Sequence, residues 1–162
     1  MQQDWIQLLS EPIAVGPVVE FVTDAAAGGI AVFLGTTRAE SSAGAEPLAA
    51  LEYEAYEDMA LRQLHDLAAR ARAQWPILRL CILHRTGRVA VGEPSVVIAV
   101  STPHRAEAFA ASRWIIDTLK TEAAIWKKEI WADGSGSWVH PVAGNEPRRR
   151  GDAGTRREGD EK

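Results

Sequence analysis

The sequence predicts an α+β fold with a mixed, largely antiparallel sheet and two long helices. Three observations carry this reading. Two long segments, 57–74 and 104–121, repeat apolar residues at helical 3–4 spacing. Several short apolar or alternating runs, at 30–34, 48–55, 78–84, 96–100 and 125–131, have the length and bounding turns of strands. Strand follows strand about as often as helix follows strand, which is not the regular alternation of a parallel α/β sheet.

Taken in order, Trp5-Ile6-Gln7-Leu8 reads as a short strand. Residues 17–27 read as a helix that opens on Pro17, places Val18, Phe21, Val22 and Ala25 on one face, and stops at Gly28-Gly29. The run 30–34 is a buried strand, and 36–47 is a polar loop of small residues. In 48–55, Leu51, Tyr53 and Ala55 alternate with Glu52 and Glu54, the pattern of a half-buried strand. Helix 57–74 turns Leu61, Leu64, Leu67 or Ala68, and Ala71 inward, and Pro76 stops it. Strands 78–84 and 96–100 follow, with Gly87 and Gly92-Glu93-Pro94 as turns. Helix 104–121 points Ala108, Phe109, Ser112, Ile115, Ile116 and Leu119 inward. Strand 125–131 and a short strand at Trp138-Val139 complete the ordered part.

The 162 residues amount to one domain, expected to span 1–147, with a charged, disordered tail at 148–162 that has no apolar residue larger than alanine. Net charge is −4, divided into +2 for the tail and −6 for the body. An acidic body argues against nucleic acid as the partner. No apolar run approaches the length of a membrane span, and the N-terminus has no secretory pattern. One cysteine, Cys81, cannot form an internal disulfide, so a cytoplasmic protein is expected.

The sequence has no nucleophile elbow, P-loop, Cys-x-x-Cys or His-Glu-x-x-His, and its four histidines are scattered, so neither a metal site nor a resident cofactor is expected. What remains is cationic. Arg38 follows a buried strand, His104-Arg105 opens a helix where free N–H groups favour an anion, and Lys120 ends that helix. Lys127 and Lys128 point to opposite faces of the last strand. Each has an ordinary explanation: Lys120 complements the helix dipole, and the lysine pair suits an exposed strand. Together they suggest a site for an anionic ligand.

Longer motifs narrow this. Phe33-Leu34-Gly35-Thr36-Thr37-Arg38 resembles the F-x-G-x-x-R segment of the MoaE family, the large subunits of molybdopterin synthase. The match continues through Leu51-Glu52-Tyr53-Glu54-Ala55-Tyr56, Trp75-Pro76, His84-Arg85-Thr86-Gly87, Pro103-His104-Arg105, Leu119-Lys120-Thr121 and Trp126-Lys127-Lys128-Glu129, in register over about residues 3 to 140. The resemblance implies an α/β-hammerhead fold and a homodimer within a heterotetramer. The other subunits would be small ubiquitin-like sulfur carriers of the MoaD type. It implies sulfur transfer from the carrier's C-terminal thiocarboxylate to cyclic pyranopterin monophosphate, giving the molybdopterin dithiolene. Carried over by position, Lys120 and Lys127 are the catalytic candidates. Thr36, Thr37, Arg38, His104, Arg105, Lys128 and Glu129 are the substrate-binding ones. A lysine desolvated among cations would move protons near neutrality. Cys81 is expected to be packed, since the sulfur arrives on the carrier.

Three features depart from the family: Ala124 stands where a proline is frequent, loop 39–47 has no aromatic residue, and the basic tail has no counterpart. Two other readings fit the same cations, a non-catalytic module binding a phosphorylated metabolite and a Schiff-base enzyme using Lys120.

Overall fold

The computed structural model describes residues 4–40 and 46–139. The expected tail at 148–162, the middle of loop 39–47 and His140 lie outside the described residues. The elements are β1 (Asp4–Leu9), α1 (Val15–Val22), β2 (Gly29–Thr36), β3 (Leu48–Ala55), α2 (Glu57–Gln74), β4 (Arg79–Arg85), β5 (Gly87–Ala90), β6 (Pro94–Thr102), α3 (Arg105–Glu122), β7 (Ile125–Trp131) and β8 (Gly136–Val139). The α+β class and the two long helices are as expected, but the strands form two four-stranded sheets, ordered β1-β4-β6-β2 and β5-β3-β7-β8. Only β1 with β4 is parallel.

The first sheet is covered on both faces. Leu80, Ile82, Val96, Ile98 and Val100 pack under α2 and α3, while Cys81, Leu83, Val97 and Ala99 pack under α1. Strands β4 and β6 therefore read as continuous apolar runs rather than alternating ones.

Two helix expectations change. Helix α1 ends at Val22, not at residue 27. Asp24 accepts a hydrogen bond from the Ala26 N–H and another from Arg79 Nε, and this local turn outcompetes the helix over the small residues that follow. On α3, Phe109 points outward at 68% exposure, and Ala111 takes the inward position.

Strand β2 is longer than expected and starts at Gly29. Here the chain runs so close to the start of α3 that a Cβ on Gly28 would lie 2.2 Å from the Pro103 carbonyl oxygen. One on Gly29 would lie 2.8 Å from the Arg105 Cα. This contact fixes the direction of α3. It leaves β6 at the Gly29 end of β2, packs back over β6 and β2, and finishes at the Thr36 end.

The second sheet meets the first through Tyr53. Its hydroxyl donates to Ser95 Oγ at 3.2 Å, and Ser95 Oγ donates to the Gly35 carbonyl at 3.1 Å. The Tyr53 ring also stands edge-on to His84, with centroids 5.0 Å apart.

Candidate active site

Five of the nine sequence-selected residues are placed toward one end of the molecule. Thr36 closes β2 after a register shift at Gly35, and Thr37 and Arg38 follow. Thr37 is pinned by its backbone: its N–H donates to the Glu93 carbonyl, and its carbonyl accepts from Gly92 N–H at 2.8 Å. Its hydroxyl is buried and has no hydrogen-bond partner among the described residues, an arrangement that costs about 1–3 kcal/mol when nothing fills it. Arg38 is exposed and paired with Glu40, which raises the guanidinium pKa above its ordinary value through a hydrogen bond and direct charge attraction. Lys120 stands in the last turn of α3, which runs out toward this same end.

Lys127 reaches the site from the other sheet. It is directly opposite Tyr53 on β3 and Val139 on β8, so it shares a face with the tyrosine that is tied through Ser95 to Gly35. Glu129 lies on the same face, opposite Leu51 and Ser137. Lys128 points the other way. It is opposite Glu52 and Trp138, and its Nζ sits 5.9 Å from the centroid of the Trp138 ring.

His104 and Arg105 are placed elsewhere. They open α3 at the Gly29 end of β2, and the 15 residues from Arg105 to Lys120 span about 22 Å of helix. His104 supplies no side-chain cap, and its carbonyl accepts the Thr102 hydroxyl at 2.6 Å. Within one chain this pair and the Lys120 end are not brought together.

The lysines are not desolvated. Lys120 and Lys127 are both exposed in the single chain. Cys81 behaves as a packed residue: it is fully buried, and burial pushes its thiol up to about 12. No group of His, Cys, Asp and Glu among the described residues could hold a metal ion.

Several residues of this region were not singled out in the sequence. Tyr53 could have been found from its inward place in the 48–55 alternation. His84 stands in one of the family motifs without a site role, and Ser95 carries no signal in the sequence, because both act through a contact between sheets. His84 is buried, with Nδ1 2.8 Å from the Arg85 carbonyl oxygen, and burial lowers its pKa to about 4. A cleft of about 410 Å³ also opens on the second sheet, lined by Glu54, Ala55, Tyr56, Trp126, Trp138 and Val139. Its aromatic walls Trp126 and Trp138 lie on the face that bears Lys128, away from Lys127, so it is not the lysine site.

The chain resembles known proteins over most of its length. The family model described as "MoaE protein" matches residues 8–122. A molybdopterin synthase catalytic subunit from Nostoc sp. is 44% identical over 138 residues, covering 85% of this chain and 82% of the relative. One from Bos taurus is 40% identical over 136 residues, covering 84% and 71%. Among solved structures, molybdopterin synthase from Staphylococcus aureus superposes with a TM-score of 0.76 at 35% identity, covering 86% of this chain and 98% of that one. The fold is also shared, at 18% identity and a TM-score of 0.68, with a chain in the complex of subunits 1 and 2 of molybdopterin-converting factor from Helicobacter pylori, covering 83% and 89%. The motifs at Arg38, Lys120 and Lys127 thus sit in a fold shared with these enzymes, and the chain belongs to the MoaE family.

Proposed function

We propose that this chain is the catalytic subunit of a molybdopterin synthase, a cytoplasmic sulfurtransferase. It would take sulfur from the C-terminal thiocarboxylate of a small ubiquitin-like subunit and deliver it to cyclic pyranopterin monophosphate. What supports this reading is the placement of Lys120, Lys127 and the Thr36–Arg38 segment, which come from the end of α3, from a strand paired with the Tyr53 strand, and from the end of β2 that Tyr53 reaches through Ser95.

The chemistry needs cations at this place. Donor and substrate are both anionic, and their meeting is opposed unless positive groups hold them. Arg38 presents a planar fork suited to phosphate, and the Thr37 hydroxyl is a donor without a partner among the described residues. Lys127 and Lys120 are placed to stabilise the charge that develops on the acyl oxygen and on the opening phosphate, and to carry protons. Each transfer breaks the donor's acyl carbon–sulfur bond and forms a carbon–sulfur bond on the pterin's side chain, where the displaced oxygen leaves with the opening phosphate at one carbon and as water at the other; water returns the donor's end as a carboxylate. The chain's own thiol is not needed, in keeping with the buried, high-pKa Cys81. Closure by the carrier's tail would supply the desolvation that the exposed lysines lack. His104 and Arg105 would act on substrate from a second copy of the chain, in a homodimer that carries two small subunits.

Mass spectrometry of the carrier's C-terminus tests the reading. The thiocarboxylate should convert to carboxylate when this chain and cyclic pyranopterin monophosphate are both present, and survive when either is omitted. Conversion independent of the pterin would contradict it.

A further inference from the structure

The candidate site is divided between two sheets. Thr36, Thr37 and Arg38 lie at and beyond the end of β2 in the first sheet, whereas Lys127 belongs to the second. Among the described residues, no strand of one sheet pairs with a strand of the other. The placement of Lys127 relative to the Thr36–Arg38 segment is therefore set by contacts between the sheets rather than by a shared ladder.

One such contact is made by an irregularity of the first sheet. Across β2 and β6, Gly35 lies opposite Val96, but Thr36 lies opposite Pro94. Ser95 is the extra residue, a bulge of β6 at the end of β2. Alternation along β6 would turn Ser95 with Val97 and Ala99 toward α1. The bulge lifts that constraint, and the buried Ser95 bridges two elements instead. Its Oγ donates to the Gly35 carbonyl at 3.1 Å and accepts from the Tyr53 hydroxyl at 3.2 Å. The direction of this chain is fixed, because a carbonyl oxygen only accepts and Ser95 has a single proton to give. The backbone is tight here: a Cβ on Gly35 would lie 2.5 Å from Val96 Cγ1.

Tyr53 is held from a second side. Its ring stands edge-on to His84, which comes two residues after Ile82 on the side of the first sheet that α2 and α3 cover. Burial raises the Tyr53 hydroxyl pKa above its ordinary value, so the hydroxyl keeps its proton and remains a donor. Directly across from Tyr53, on β7, is Lys127. A single tyrosine thus joins the lysine strand to the carbonyl one residue before Thr36.

We propose that Tyr53 is a positioning residue for the sulfur transfer: acting through the Ser95 bulge, its hydroxyl holds the Lys127 strand in register with the Thr36–Arg38 segment. This role rests on the sulfur-transfer reading above and extends it to a side chain that acts through others. Removing the hydroxyl leaves the ring on His84 and the sheet pairing in place, but it releases Ser95 and the Gly35 carbonyl. Such a site loses rate more than affinity. The cations that attract donor and substrate are all retained, while a misplacement of about 1 Å can cost on the order of 100-fold in rate.

Single-turnover molybdopterin formation tests this with Tyr53→Phe, Ser95→Ala and the double variant, using thiocarboxylated small subunit and cyclic pyranopterin monophosphate. Each single variant should lower the rate at saturation at least about tenfold, with half-saturation by the small subunit within about twofold of wild type. Melting temperatures should stay within a few degrees. The double variant should be no slower than the slower single one, because both changes break the same chain of hydrogen bonds. Thr37 gives a readout free of activity, since its N–H donates to the Glu93 carbonyl two residues before Ser95. Its amide should exchange hydrogen at least about tenfold faster in both single variants. If Tyr53→Phe fails to fold, Ser95→Ala decides the matter. A folded variant with the wild-type rate, or a double variant whose loss is the product of the single losses, overturns the proposal and leaves the sulfur-transfer reading standing. If the wild type itself forms no molybdopterin, that reading fails, and the exchange rates decide the tether: faster exchange supports it and unchanged exchange overturns it.

Discussion

Lys127 and Lys128 are adjacent in sequence and differ in everything that matters for chemistry. The first shares a face with Tyr53, whose hydroxyl leads through Ser95 to Gly35; the second lies against Trp138 and opposite Glu52. Lys127→Ala and Lys120→Ala should each lower sulfur transfer 10²-fold or more, about the scale of a lost acid–base or charge-stabilising group. Lys128→Ala should cost about tenfold or less. Single-turnover product formation checks this, with melting temperatures held within a few degrees of wild type. His84 gives a second contrast. Its pKa falls from 6.5 to about 4 on folding, so the unfolded chain binds the extra proton between those values. Stability should therefore fall as pH drops from 6.5 toward 4, by about 3 kcal/mol at most. Urea titrations of wild type and His84→Gln across this range should show a shallower slope in the variant. An equal slope would mean that another group carries the dependence.

Strand β5 shows how a small element holds one edge of the second sheet. Arg85 is buried; its Nη1 donates to Glu93 Oε2 at 2.8 Å and its Nη2 to the Arg88 carbonyl at 3.0 Å. Glu93 Oε2 also accepts from the Ala90 N–H, and its backbone carbonyl accepts from Thr37. Glu93→Ala should destabilise the fold by about 2 kcal/mol, read from the denaturant midpoint, because it strands a buried guanidinium. It should also weaken substrate binding through the Thr37 segment. This element was not legible in the sequence. Gly87-Arg88-Val89-Ala90 buries only Val89, too short a signal for a period-two pattern, and its glycine read as a turn. The bounds of helix α2 were legible to the residue from its stripe and Pro76, although Ala60 rather than Leu61 takes the first buried position. The end of α1 was not, because it is set by the Asp24 carboxylate bonding to Ala26 and to a distant arginine.

At the scale of the whole molecule, the motifs supplied candidate residues but not their grouping. Helix-start residues His104 and Arg105 and helix-end residue Lys120 belong to one element, and only its direction over β2 reveals that they stand at opposite ends. Phe109 reads as core from its spacing, yet it is outside because α3 has a neighbouring helix on one flank only. Reconstitution tests the central claim most directly. This chain, a thiocarboxylated small subunit and cyclic pyranopterin monophosphate should together yield molybdopterin, and the Lys120→Ala chain should yield at least about 100-fold less while still binding the small subunit. Wild-type chain that binds both components and forms no molybdopterin, or a Lys120→Ala chain as productive as wild type, would contradict the account.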